Sequence, residues 1–313
     1  MSAPILIIHN CDNLEALRRF AANGDRFDLC ELDGPYGANL EGWDILTDDQ
    51  YLAHYADRLP LVRDVLQPWG VSFLFGYPEG CAEIKAWARQ TNTLHLRRWL
   101  TWHKQRTAHK GRKCEAVLMF VMPPAQSALA AWAGFIRSER LHRGWTLADV
   151  GDRAGRPWWH RGGNLYFETG SGGHPSVDDF LTLAQIFNYN PNDWPQVCSD
   201  SYDELTNLDF ISATYPEDTR ELNDAGLHSK PVGLYLDLFR PTVPPRETRR
   251  ALVLYGGSGN AAIAAGKLGY DVDICETDPA RCEMIRRRWA WQVERRDETP
   301  TTELGPLFNM EAA

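Results

Sequence analysis

Two glycine-containing turns, one near each end of the chain, hold the residues best suited to chemistry. The first lies in Phe27-Asp28-Leu29-Cys30-Glu31-Leu32-Asp33-Gly34-Pro35-Tyr36-Gly37. It reads as a short apolar strand ending in a tight turn, where Asp33 presents a carboxylate and Tyr36 an aromatic ring. Asp, Gly and Pro also build ordinary turns, so this segment by itself specifies no chemistry. The second lies in Ala251-Leu252-Val253-Leu254-Tyr255-Gly256-Gly257-Ser258-Gly259-Asn260, followed by a small-residue stretch and then Asp271-Val272-Asp273-Ile274-Cys275-Glu276-Thr277-Asp278. It reads as strand, glycine turn, helix, and a second strand with an acidic end. Gly257 and Gly259 permit torsions and a close approach that a side chain would block. Glu276 lies 17 positions past Gly259, near the spacing at which a carboxylate takes ribose hydroxyls in doubly wound folds. The third glycine of the dinucleotide pattern is missing, which points to a nucleoside-type cofactor. A cofactor turn at one end and a polar, stacking turn at the other predict an enzyme with two ligands.

At these residues the chain resembles the amino-group DNA methyltransferases of the class that places the catalytic motif before the cofactor motif (the beta class). Where that family usually has Asp-Pro-Pro-Tyr, this chain has Asp33-Gly34-Pro35-Tyr36. Where it usually has Asp-Pro-Phe-x-Gly-Ser-Gly-Thr, the chain has Val253-Leu254-Tyr255-Gly256-Gly257-Ser258-Gly259-Asn260. Lys230-Pro231 ahead of an apolar helix is similar to a third family element, and Ile7-Ile8-His9-Asn10-Cys11-Asp12 to its opening run. Residues 99–104 and 114–120 resemble its later strand pair, with Cys114 where histidine is common. The resemblance implies S-adenosylmethionine as cofactor, held by Lys230, Pro231, Tyr255 to Asn260, Glu276 and Asp278. It implies catalysis at Asp33, Gly34, Pro35 and Tyr36 on an exocyclic amine, adenine N6 ahead of cytosine N4 because aspartate heads the tetrapeptide. Restriction-modification is the setting it suggests. Gly34 in place of proline keeps the backbone carbonyl and loses the fixed torsion. The alternative is a non-catalytic DNA-binding protein on the same scaffold.

The wider composition fits this reading. A chain of 313 residues with 43% hydrophobic and 24% charged residues is an ordinary globular protein. Seven scattered cysteines without a Cys-x-x-Cys pair predict reduced thiols in a cytoplasmic protein, with neither a disulfide framework nor a metal site. No stretch reaches the ~18 apolar residues of a membrane helix. A net charge of −9 argues against indiscriminate coating of nucleic acid. Yet residues 97–113 carry Arg97, Arg98, Lys104, Arg106, Lys110, Arg112 and Lys113 with no acidic residue, interleaved with Trp99, Trp102, His103 and His109. That mixture predicts phosphate contact with double-stranded DNA. A homodimer is compatible with the sequence.

The elements that must position these groups alternate along the chain. Strands are expected at 5–8, 27–32, 71–75, 94–102 and 116–122, and helices at 50–67 and 79–90. Met122-Pro123-Pro124-Ala125-Gln126-Ser127 reads as a linker. Short helices follow over 133–143 and 147–154, the second capped by Thr146 with Asp149 as its acidic partner. A third segment runs over 157–168 and a last amphipathic helix over 175–187. This pattern resembles a repressor-type helix-turn-helix. Trp158, Trp159, His160, Arg161 and Asn164 would then supply stacking, phosphate and base-edge contacts. Residues 190–228 read as an acidic connector and 297–313 as a frayed tail.

The expected architecture is therefore α/β. A doubly wound, mostly parallel methyltransferase sheet is built from both chain ends, with a small all-α insertion. Residues 1–124 form the catalytic half, 125–200 the target-recognition insertion, and 201–313 the connector and cofactor half.

Overall fold

In a computed structural model of the chain, the structure describes residues 3–37, 44–104, 114–123, 126–157, 177–194, 210–211, 229–244 and 248–294. The strands are β1 (Leu6–His9), β2 (Phe27–Leu32), β3 (Leu66–Gly76), β4 (His95–His103), β5 (Cys114–Val121), β6 (Phe210–Ile211), β7 (Arg250–Val253) and β8 (Asp271–Cys275). The helices are α1 (Asn13–Asn23), α2 (Asp48–Val65), α3 (Pro78–Thr91), α4 (Gln126–His142), α5 (Leu147–Arg153), α6 (Val177–Phe187), α7 (Val232–Phe239), α8 (Asn260–Lys267) and α9 (Pro279–Trp289).

All eight strands join one sheet in the order β1-β8-β7-β2-β3-β5-β4-β6. The run from β1 to β3 is parallel, β5 is antiparallel to both β3 and β4, and β6 is parallel to β4. The two ends of the chain interleave. β1 pairs with β8, and β2 lies between β3 and β7.

Burial on both faces explains the apolar runs of the central strands. One face, with Cys30, Leu32, Leu74, Leu252 and Leu254, packs against α1, α2 and α3 through Leu17, Tyr55, Leu59 and Ile84. The other, with Leu29, Val71, Phe73, Ala251 and Val253, packs against α4, α6, α7, α8 and α9 through Trp132, Phe180, Tyr235, Ala264 and Trp289. Glu31 shares the parity of Leu29 and Val253 and therefore belongs to this second face.

The alternation of elements stands where the sequence placed it, with three differences. β3 begins at Leu66 rather than near 71, because Trp69 is drawn into the core and its indole donates to Asp28 at 2.7 Å. The turn-like Pro68 and Gly70 are absorbed by a register shift between Phe27 and Leu29. The linker read over 122–127 ends early, since α4 starts at Gln126. The acidic connector contributes β6, which extends the sheet beside Thr101 and Trp102.

In the insertion, Thr146 Oγ1 accepts the Asp149 amide at 3.2 Å, and Asp149 accepts the Thr146 amide at 2.7 Å. Gly144 and Gly155 take φ of 67° and 65° at the ends of α4 and α5, as C-terminal glycines do. Residues 158–176 lie outside the described residues.

Candidate active site

The turn after β2 is fixed from several sides. The amides of Tyr36 and Gly37 donate to Asp44 Oδ1 at 2.6 and 2.9 Å, and Tyr55 donates to the Pro35 carbonyl at 3.2 Å. Asp44, only 1% exposed, thus does by hydrogen bonding what a second proline would do by its ring. Gly34 is required by packing. A Cβ there would lie 2.5 Å from Tyr255 Cζ. The Tyr255 ring, from the cofactor turn, covers Gly34, so the two sequence motifs meet face to face. Tyr255 hydrogen-bonds His54 Nε2. Burial, then Arg58, lowers the His54 pKa to about 4, and burial raises that of Tyr255. The contact is therefore one between a neutral phenol and a neutral imidazole. Among the described residues, the Gly34 carbonyl has no hydrogen-bond partner.

Asp33 sits at the centre of a charged cluster. Lys230 Nζ donates to both of its oxygens, at 2.6 Å to Oδ2. Tyr36 donates to Oδ1 at 2.9 Å and Tyr235 to Oδ2 at 3.1 Å. Glu115 shares the single Tyr36 hydroxyl proton with Asp33, its Oε2 at 3.0 Å, lies 3.5 Å from Lys230 Nζ and pairs with Lys104. Burial opposes ionisation of Glu115, but Lys230 and Lys104 outweigh it and hold its pKa below the usual value. Burial, then Asp33 and Glu115, raises the pKa of Tyr36, which stays a neutral donor. Lys230 Nζ lies 4.9 Å from the Tyr36 ring centroid and 5.2 Å from that of Phe75. Asp33 is thus a carboxylate that holds an ammonium group beside two aromatic faces.

The glycine turn ends β7. Gly256 is confined by Glu276, whose Cβ would lie 2.8 Å from an added Cβ, and Gly259 takes φ of 79° to start α8. Glu276 Oε2 accepts the Gly257 amide at 2.8 Å and Oε1 the Asp278 amide at 2.9 Å. Each oxygen keeps a further lone pair for a ligand hydroxyl. Asp278 caps α9 through Ala280 at 2.8 Å. Asn260 links the turns: its Nδ2 donates to the Lys230 carbonyl at 2.7 Å, while its Oδ1 accepts from buried Arg288 at 2.7 Å.

The catalytic and cofactor residues expected from sequence thus come together: Asp33, Gly34, Pro35 and Tyr36 face Lys230, Pro231 and Tyr255, with the turn through Gly256, Gly257, Ser258, Gly259 and Asn260 alongside. The expectation for Lys104 is corrected. It was grouped with the phosphate-contacting cations, but it is 7% exposed and ion-paired to buried Glu115 beneath Tyr36. Arg97 and Arg98 lie half-buried on β4. Arg106, Lys110, Arg112, Lys113, Trp158, Trp159, His160, Arg161 and Asn164 lie outside the described residues. Sequence reading missed Glu31, Asp44, His54, Glu115 and Tyr235 as members of the site. The only signal was a charge at 31 and at 115 inside mostly apolar strands. Among the described residues no group of three or more His, Cys, Asp or Glu side chains could hold a metal ion, and no helix is long and apolar enough to cross a membrane.

No family model matches the chain, and no curated protein matches it in sequence. Among solved structures, the PvuII DNA methyltransferase, described as cytosine-N4-specific, superposes over 92% of this chain and 89% of its own, at 10% identity and a TM-score of 0.54. The M1.HpyAVI-SAM complex covers 91% of this chain and 100% of its own, at 13% identity and a TM-score of 0.48. At such identities the likeness to the PvuII enzyme is one of fold. The chain has the doubly wound sheet of that methyltransferase.

Proposed function

We infer that the chain is a site-recognising DNA methyltransferase that carries a methyl group from S-adenosylmethionine to an exocyclic amine, adenine N6 ahead of cytosine N4. The observation that carries this reading is the meeting of Asp33 and the Gly34 carbonyl, unpartnered among the described residues, with the glycine turn through Tyr255. The PvuII enzyme's fold and described activity support the reaction class, and its cytosine-N4 specificity keeps that base as the second choice.

The residues present fit such a cofactor. Gly257, where an added Cβ would meet nothing within 4 Å, leaves room along the turn, and the Glu276 oxygens would take the ribose hydroxyls with their remaining lone pairs. When bound, S-adenosylmethionine supplies an electrophilic methyl group on a sulfonium. A nucleobase amine is a poor nucleophile because its lone pair is delocalised into the ring. Asp33 would accept one N–H and the Gly34 carbonyl the other, drawing the nitrogen toward tetrahedral geometry before bond formation, an electrostatic preorganisation. The amine nitrogen would take the methyl carbon as the carbon–sulfur bond breaks, the electron pair leaving with the sulfur as a neutral thioether, and one amine proton would leave on the Asp33 side. Tyr36 would stack on a base taken out of the duplex. The acid-free segment 97–113, without Lys104, would follow the phosphates, and the helical insertion would read sequence through residues 158–164.

The second reading, a DNA-binding protein without catalysis, is favoured by one feature: Lys230 already occupies the carboxylate that the amine must reach. Calorimetry with S-adenosylmethionine, followed by transfer of labelled methyl to mixed-sequence DNA, separates the two. Cofactor binding with incorporation into adenine is the expected result. Binding to DNA without incorporation selects the second reading.

A further inference from the structure

Glu31 is a carboxylate without an assignment. It lies two residues before Asp33 near the end of β2, on the same face, and is 1% exposed. Neither of its oxygens makes a hydrogen bond of good geometry among the described residues, the nearest donor, the Tyr235 hydroxyl, being directed to Asp33. An orphaned ionisable group in a core is costly, of order 1–3 kcal/mol or more, so its retention asks for a ligand.

The neighbours say what that ligand is not. Three carboxylates, Glu31, Asp33 and Glu115, share this end of the sheet with two ammonium groups. Lys230 is committed to Asp33, with Glu115 at 3.5 Å, and Lys104 to Glu115. The hydroxyls of Tyr36 and Tyr235 are turned to Asp33 and Glu115. One negative group is left without a cation. Burial, then Asp33, pushes the Glu31 carboxyl well above its ordinary range, and Lys230 and Tyr235 offset this in part. Cys30, its chain neighbour on the opposite face, is likewise raised by burial, then by Glu31. Burial thus favours the neutral form of Glu31, and a cation placed against it would favour the ionised form.

The position of Glu31 says where such a cation would come from. In the parallel register Glu31 stands beside Val253, and its carbonyl accepts the Leu254 amide at 3.0 Å. Residue 254 leads directly into the turn of Tyr255 and Gly256. Glu31 thus lies between the catalytic carboxylate and the cofactor turn.

We propose that Glu31 is the counter-charge for the cationic, amino-acid end of the bound cofactor, its α-ammonium or its sulfonium. This rests on the assignment of S-adenosylmethionine above. The charge then closes: three carboxylates meet Lys104, Lys230 and the ligand cation, and Glu31 gives up its proton as the ligand binds.

Calorimetry of the full chain tests this. Titrations with S-adenosylmethionine at neutral pH are run in two buffers of different ionisation heat. Expected is release of a proton on binding. Glu31→Gln should abolish that release and weaken binding about 10- to 100-fold, the scale of a hydrogen bond to a charged group. S-adenosylhomocysteine keeps the ammonium and lacks the sulfonium charge. Equal weakening of both ligands assigns the ammonium, and weakening of S-adenosylmethionine alone assigns the sulfonium. Binding by the unmodified chain without proton release overturns the proposal, whether or not the variant folds. Unchanged affinity in a folded Glu31→Gln chain does the same. Failure of the unmodified chain to bind either ligand overturns the cofactor assignment itself, and this proposal with it.

Discussion

At the scale of single residues, the site turns on Asp33 and on the glycine beside it. Asp33→Asn keeps the size and removes the charge that polarises an amine. Methyl transfer should fall by about 10²–10³, the cost of losing one preorganised electrostatic group, while calorimetry should find cofactor affinity within a few-fold. Undiminished transfer in this variant removes Asp33 from the chemistry. Gly34 is held by Tyr255 rather than by its own torsion. Gly34→Ala drives a methyl into that ring and should cost about 1–3 kcal/mol in urea unfolding, as overpacking does. In the double variant with Tyr255→Ala the two losses should sum to less than their separate values. His54 gives the same contact a pH signature. Its folded pKa, about 4, lies below the ordinary 6.5. Between those values the unfolded chain binds a proton that the folded chain refuses. Stability from this group is therefore present above about 6.5 and lost as pH falls toward 4. His54→Gln should flatten the unfolding free energy over that window.

At the scale of elements, Asn260 ties α8 and α9 to the segment that carries Lys230. Asn260→Ala removes one acceptor from buried Arg288 and the donor to the Lys230 carbonyl and should lower stability by about 1–3 kcal/mol, the cost of an unmet buried polar group. The melting transition should fall, and cofactor affinity with it. Most elements were legible from sequence because apolar periodicity and glycine turns report local backbone demands. Phe27–Leu32, the turn at Gly256 to Gly259 and the Thr146 cap were each readable from adjacent residues. Glu31, Glu115, Lys104 and Tyr235 were not. Their meaning comes from strand order, which brings positions 31, 104, 115 and 235 to one end of the sheet. Composition counts a charge but not its partner, and so Lys104 was grouped with surface cations although Glu115 binds it in the interior.

At the scale of the molecule, the catalytic sheet and the helical insertion have separable tasks in the proposed function. Replacing Lys110, Arg112 and Lys113 by Ala should weaken binding to every duplex and flatten its salt dependence. Replacing Arg161 and Asn164 should cost about 1–3 kcal/mol of discrimination per lost base-edge contact and leave cofactor binding intact. Binding curves on target and scrambled duplexes at two salt concentrations decide between them. Retained site preference in the second variant would move recognition to the loops of the catalytic sheet. The interleaving of the chain ends has a further consequence, in time. β2 is complete at residue 32, while its neighbour β7 ends at residue 253. At about 5–20 residues per second, the ribosome delivers that neighbour roughly 10–45 s later. Through that interval one edge of β2 and the apolar face around Leu29 stand uncovered, and the nascent chain must be shielded before it can close.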